Sequence, residues 1–210
     1  DDALEAKKSM WTTNALQIAN NPMMERGLAE KDRKGCIRML NQYGDTFAEH
    51  TTFNNVNVHL IDNELVSFVK SWDQNSWGEK LDYSTAYRQV RESREPKTVL
   101  EVSPKGLRLK GIFPVEYQGR FVGMANFEGG LNSIKRRFEG RDIEFLYFLH
   151  EDYLNIAESL SDKPQIGSYV LSQKDVHEEF LSYATAASFS PEEALDGYNF
   201  DNKYLTSART

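Results

Sequence analysis

Residues 97–129 contain three strand-like runs in series, "KTVLEVS", "GLRLKGIFPVEY" and "RFVGMANFEG", joined only by "PKG" and "QG". Gly and Pro at such joints are turn signals, and connections this short join antiparallel neighbours rather than parallel ones. The stretch is therefore expected to form an antiparallel meander. Everything upstream must supply the layers that cover it.

The first fifty residues carry the helical period. In "ALEAKKSMWTTNALQIANNPMM" apolar residues recur at Leu4, Met10, Trp11, Ala15, Leu16, Ile18 and Ala19, the spacing of one helix face. Pro22 is expected to break or kink that helix. A second helical run, "MERGLAEKDRKGCIRMLNQYGDTFAEH", has "AEKD" as an internal break. The period then changes to two. "VNVHLID" sets Val56, Val58 and Leu60 on one side and Asn57, His59 and Ile61 on the other, "DNE" turns the chain, and "LVSFVKSW" returns, so residues 56–72 read as a hairpin. A loop holding Trp72 and Trp77 follows, then a helix in "YSTAYRQVRESRE" stopped by Pro96. The expected fold class is α+β: long N-terminal helices and a five-stranded antiparallel sheet with helices on one side.

From residue 142 the pattern restarts on a smaller scale. "DIEFLYFLHEDYL" reads as a strand running into a helix, "QIGSYVLSQ" as a strand, "KDVHEEFLSYATAAS" as a helix and "NKYLTSART" as the start of another strand. Three parts are expected: a helical stalk at 1–55, the main sheet unit at 56–141, and a smaller, incomplete unit of the same type at 142–210.

Composition removes several function classes. With 32 acidic and 25 basic residues among 210, the net charge of -7 does not suit a nucleic-acid groove. The basic run "IKRRFEGR" is interleaved with acid and reads as a solvated face. No apolar run reaches the roughly 20 residues of a membrane span. The abrupt ends read as those of a soluble piece of a larger protein. Cys36 stands alone in a helical pattern and is expected to be a small buried side chain. No nucleophile elbow, phosphate loop, dinucleotide fingerprint or zinc motif is present, and His50, His59, His150 and His177 share no ligand spacing. Neither catalysis nor a metal or other cofactor is expected. Glu178 and Glu179 read as solvated charge, and Gly129 and Gly130 as the turn out of the last strand.

Polar residues within the strands are the sharper signal. Lys70 ends the second strand, Glu101 lies in the third, Arg108 and Lys110 in the fourth, Asn126 and Glu128 in the fifth. Arg108, Lys110 and Ile112 share one face, and Leu107, Leu109, Gly111 and Phe113 the other. If the apolar set meets the helices, the charges face solvent. If the sheet instead wraps over a pocket, they are buried and need partners or a ligand. The two tryptophans pose the same choice between a hydrophobic plug and a binding wall.

The order of these motifs resembles the double Cache sensor domains, PAS-like modules of bacterial chemoreceptors and sensor kinases. It is carried by "NNVNVHLIDNELVSFVKSW", "WGEKLDYSTAYRQVRESREP", "LEVSPKGLRLKGIFPVEYQGRFVGMANFEGGLNSI" and "QIGSYVLSQK". A strand pair ending in a basic residue and Trp, an aromatic–Gly–acidic turn, a glycine-started strand leading to G-x-x-P, and a G-x-x-x-G hairpin occur in the family's order. Lys70 and Lys110 stand where relatives commonly have arginine, which keeps charge but loses the planar fork suited to carboxylates. The second unit lacks its closing hairpin.

The resemblance implies the periplasmic or extracellular domain of an inner-membrane chemoreceptor, anchored by transmembrane segments outside this chain. It implies a homodimer formed through the N-terminal helix, where Met10, Trp11 and Leu16 make a compatible stripe; packing within one monomer fits that stripe equally. A small-molecule ligand such as an organic acid or amino acid is expected in the membrane-distal pocket. Its walls would be Trp72, Trp77, Tyr83, Tyr87 and Phe113, its polar groups Lys70, Arg88, Glu101, Lys110, Asn126 and Glu128. The alternative is a ligand-free structural or dimerisation module of a sensor kinase or diguanylate cyclase.

Overall fold

The computed structural model describes residues 2–50, 57–138, 146–173, 176 and 178–186. These fall into two compact units. One comprises the chain up to Glu101 together with Leu109–Gly129, the other Val102–Arg108 with the described residues from Gly130 onward.

Three helices open the first unit, α1 (Asp2–Ala19), α2 (Pro22–Ala29) and α3 (Arg33–His50). Pro22 does not kink a continuous helix. It begins the second one, where its missing N–H costs nothing, and the Asn21 side chain accepts from the amides of Met23 and Met24. "AEKD" marks the break before α3. Strands β1 (Asn57–Asp62) and β2 (Ser67–Lys70) form the expected hairpin, with Asp62 Oδ1 accepting from the amides of Glu64 and Val66 in its turn. Helix α4 (Thr85–Ser93) is capped by Ser84 and ends at Arg94, whose left-handed conformation returns an N–H to Val90. Strands β3 (Lys97–Ser103), β4 (Gly106–Tyr117) and β5 (Arg120–Gly129) coincide with the three runs read from the sequence.

The five strands lie in the order β2-β1-β5-β4-β3, which inserts the hairpin beside the last strand of the meander. Both of β1's neighbours are antiparallel to it. The helices do not share one side, contrary to expectation. Trp11 of α1 packs edge-on to Phe127, at 5.2 Å between centroids, while Tyr87 of α4 bonds the adjacent Asn126. Successive residues of a strand point to opposite faces, so α1 and α4 cover opposite sides. Both faces of β1 are consequently buried along Val58–Ile61. Close approach of α1 requires Gly111, where a Cβ would stand 2.5 Å from the Trp11 carbonyl oxygen. Trp11 is thus spent in the core of this chain, whereas Met10 is 40% exposed.

On the α4 side an apolar cluster joins Ile61, Leu65, Leu81, Ala86, Tyr87, Val90, Ile112 and Met124. Full burial of side chains such as Ile112 and Met124 contributes roughly 1.5–3 kcal/mol each. Cys36 is buried as expected, and burial lifts its thiol to about 11.

The second unit contains helix α5 (Asn132–Phe138), strands β6 (Phe148–His150), β7 (Gln165–Ile166) and β8 (Tyr169–Leu171), and helix α6 (Glu178–Ala186). The strands form a sheet ordered β6-β8-β7, over a cluster of Leu149, Ala157, Leu160 and Val170. Two sequence readings are corrected here. "QIGSYVLSQ" is a hairpin turning at Gly167, whose φ of 57° suits glycine, rather than one strand. After β6 the chain makes short 3-10 turns at Glu151–Tyr153 and Glu158–Leu160, not an α-helix. Val56, residues 142–145, His177 and "NKYLTSART" lie outside the described residues.

Candidate functional site

Strand register decides what gathers beneath α4. Directly paired residues share a face. His59 pairs with Lys70 on one side and Asn126 on the other, and Asn126 pairs with Ile112. The next row is Asn57, Glu128 and Lys110. Two rows of largely polar side chains therefore line the sheet face that α4 covers; His59, Asn126, Glu128 and Lys110 are buried, and Lys70 and Asn57 partly so. This resolves the alternatives left open by the sequence: the strand charges do not face solvent.

Lys110 is only 1% exposed. Its ammonium donates to Glu101 Oε2 at 2.7 Å and sits 4.4 Å from the Tyr87 ring centre. Glu101 in turn binds the start of α4, accepting from the Ser84 hydroxyl at 2.6 Å and the Ala86 amide at 3.1 Å. Burial raises the Glu101 carboxyl, but the Lys110 charge and these donors outweigh it and leave it below its ordinary value. Lys70 makes a second ion pair, donating to Glu79 and to Ser76 Oγ, 2.9 Å away. Burial again opposes ionisation of Glu79, and the Lys70 and Ser76 bonds overcome it, holding the carboxyl at about 2.

Asn126 is 0% exposed. Its Nδ2 donates to the Tyr87 hydroxyl at 2.8 Å and to Glu128 Oε2 at 3.0 Å, while its buried Oδ1 has no partner among the described residues. Tyr83 is half-exposed, yet burial and the surrounding Glu128, Glu101 and Glu79 carboxylates raise its phenol to about 12. Burial, then Glu128, Tyr83 and Glu101, push the Tyr87 phenol well up.

Two expected wall residues, Trp77 and Phe113, and one expected polar group, Arg88, lie elsewhere. Trp77 is 59% exposed, with the Arg33 guanidinium of α3 5.0 Å from its ring. Arg88 is on the solvent face of α4 and donates to Thr85 Oγ1 at 3.2 Å. Phe113 pairs with Ala125 and shares the face of Gly111, away from α4, because strand alternation sends it opposite to Ile112. Of the two loop tryptophans, Trp72 alone meets the cluster, its ring edge-on to His59 at 5.7 Å.

His59 was missed as a site residue. It sits between Trp72 and Tyr87, its Nε2 is 2.8 Å from Ser67 Oγ, and burial, then the Lys70 and Lys110 charges, lower it to about 3, so it is neutral. The alternation of "VNVHLID" placed it on a face with Asn57 and Ile61, but only pairing with β5 shows what that face meets. Among the described residues, no group of His, Cys, Asp and Glu is arranged to hold a metal ion, and no helix is long and apolar enough to cross a membrane.

No protein-family model matches the chain, and no curated protein matches it. Solved structures do. The sensor domain of the V. cholerae histidine kinase DctB is similar at a TM-score of 0.56 and 12% identity, over 90% of this chain and 73% of that one. The E. coli DcuS sensor domain is similar at 0.51 and 12% identity, over 66% of this chain and 98% of its own length. The ligand-binding domain of the Campylobacter jejuni chemoreceptor Tlp3, solved with 4-methylisoleucine, matches at 0.47 and 13% identity, over 72% and 60%. The likeness to the first two is a likeness of fold.

Proposed function

We propose that this chain, which has the fold of Cache-type sensor domains, is the extracytoplasmic ligand-sensing part of a transmembrane receptor. A small molecule would bind between α4 and the sheet, in the unit that contains Lys70, Trp72, Tyr87 and Lys110. The observation that carries this reading is Asn126, fully buried with an unpartnered carbonyl oxygen beside the buried Lys110 and Glu128. Burying polar groups costs free energy that an apolar filling would avoid. A few fixed polar groups against aromatic rings are the usual make-up of a small-molecule site.

Glu101 offers a route from ligand to signal, since the carboxylate that holds Lys110 also caps α4. A ligand that competes for either group favours one position of that helix over another, and differential binding to two conformations is all that signalling requires. The receptor acts as a homodimer, and the displacement passes towards the membrane.

A thermal-shift screen of amino acids, organic acids, amines and purines tests the proposal. A true ligand at a hundred times its Kd should stabilise the domain by about 2.7 kcal/mol. No stabiliser in any of the four classes would overturn it. One observation favours a second reading, a structural module without ligand: both lysines already have carboxylate partners. On that reading Lys70→Met would leave the receptor's output unchanged.

A further inference from the structure

The site's two ammonium groups are both committed. Lys70 is held by Glu79 and Ser76, and Lys110 by Glu101 and the face of Tyr87. Its third carboxylate, Glu128, is 9% exposed and has no basic partner among the described residues. Lys110 is its direct cross-strand neighbour, yet the lysine turns to Glu101 instead. Among the described residues Glu128 accepts only from the Asn126 amide, although a carboxylate can take about four hydrogen bonds.

Asn126 adds an independent sign of what is missing. Its Oδ1, in a residue 0% exposed, is an acceptor with no donor among the described residues. The amide cannot be reversed to cure this, because its oxygen would then face the Glu128 carboxylate now served by Nδ2 at 3.0 Å. Within the first unit the uncompensated charge is thus a carboxylate, with an orphan acceptor beside it: three carboxylates stand against two ammonium groups, each already paired, and a neutral His59.

We propose that the ligand is a cationic amine lacking a carboxylate, whose ammonium donates to Glu128 and to Asn126 Oδ1. An ammonium brings three donors and a positive charge, which answers both deficits. A free carboxylic acid answers neither: it would add a fourth anion beside Glu128 and would have to share ammonium groups already paired with Glu79 and Glu101. Ligands carrying both groups bind through the ammonium and lose affinity through the carboxylate. The Trp72, Tyr83 and Tyr87 rings suit an apolar body attached to that ammonium.

The inference rests on the small-molecule reading of the same site, and matched probes separate the two. Titration calorimetry on the whole 210-residue chain would compare leucine, 3-methylbutylamine and 4-methylpentanoate, then phenylalanine, phenethylamine and 3-phenylpropionate. Within at least one skeleton the amine should bind at least about tenfold tighter than the amino acid, and the acid should not bind. Glu128→Gln, which keeps shape and an acceptor for Asn126, should weaken the amine by about tenfold or more. Should that variant not fold, Glu128→Asp, which keeps the charge with a shorter reach, should retain weaker amine binding. An acid or amino acid bound in preference to its amine overturns the inference and leaves the small-molecule reading intact. Amine binding unchanged in Glu128→Gln overturns the assignment of the ammonium to this site. Failure of all six probes overturns the inference and counts against the reading as well.

Discussion

Lys110 Nζ lies 2.7 Å from Glu101 Oε2, and that same carboxylate closes the first turn of helix α4 by accepting from the Ala86 amide. A strand lysine, a carboxylate on another strand and a helix terminus are thereby one electrostatic unit.

Removing only the lysine should expose the cost of that unit. Lys110→Met leaves Glu101 buried among neutral donors, and breaking a buried pair from one side costs about 3–5 kcal/mol. Glu101→Gln added to it should recover part of the loss, because glutamine still offers an oxygen to Ser84 and Ala86. Urea unfolding of the two single variants and the double variant measures the coupling. Strict additivity would show that the pair does not act as a unit.

Acid should weaken the fold before its carboxylates titrate. His59 has its imidazole lowered to about 3 from an ordinary 6.5. The unfolded chain therefore takes up this proton first, so stability is full above about 6.5 and falls with pH towards 3. At its steepest the slope is about 1.4 kcal/mol per pH unit for one proton. Glu79, held at about 2, adds a loss only below its ordinary 4.5. His59→Asn should flatten the profile between pH 6.5 and 5 in denaturant titrations at fixed pH; an unchanged slope there would refute the assignment.

Ser84 accepts from the Tyr87 amide at 3.3 Å and donates to Glu101 at 2.6 Å. Ser84→Ala removes a helix cap and a carboxylate donor together. The expected loss is about 1–2 kcal/mol, read from the shift in unfolding midpoint with an unchanged m-value.

Two glycine substitutions should move stability in opposite directions. Gly111→Ala drives a methyl group against the Trp11 backbone and should cost about 1–3 kcal/mol. Gly44→Ala, in α3 with nothing within 4 Å of the new methyl, should stabilise by up to about 1 kcal/mol. Thermal unfolding of both variants checks the packing of α1 on the sheet independently of any ligand.

The loop tryptophans should separate in the same way. Trp72→Ala is expected to abolish binding of any ligand found for the site, and Trp77→Ala to leave it within about twofold, since exposed positions rarely move more than ~0.5 kcal/mol. Calorimetry with that ligand decides, and equal losses would return Trp77 to the wall of the site.

The helices, the hairpin and the boundaries of the meander were legible in the sequence because their causes are local. Helical spacing ran to Ala19, Pro22 marked a break that the structure shows to be the start of the next helix, and "PKG" and "QG" bounded three strands whose limits the structure reproduces. Local signals also separated the polar residues of each strand from its apolar ones. They could not say what each face would meet. Placing β1 against β5 joins residues more than sixty positions apart, and that pairing put His59 beside Asn126 and brought the polar rows under α4 rather than into water. Alternation alone set Phe113 opposite to Lys110, and the tertiary structure showed which of those faces α4 covers. A side chain's period is written in its neighbours along the chain, whereas its partner depends on which strand lies next to it. The tertiary structure alone decided that Lys110 answers Glu101 and that Glu128 is left for something else.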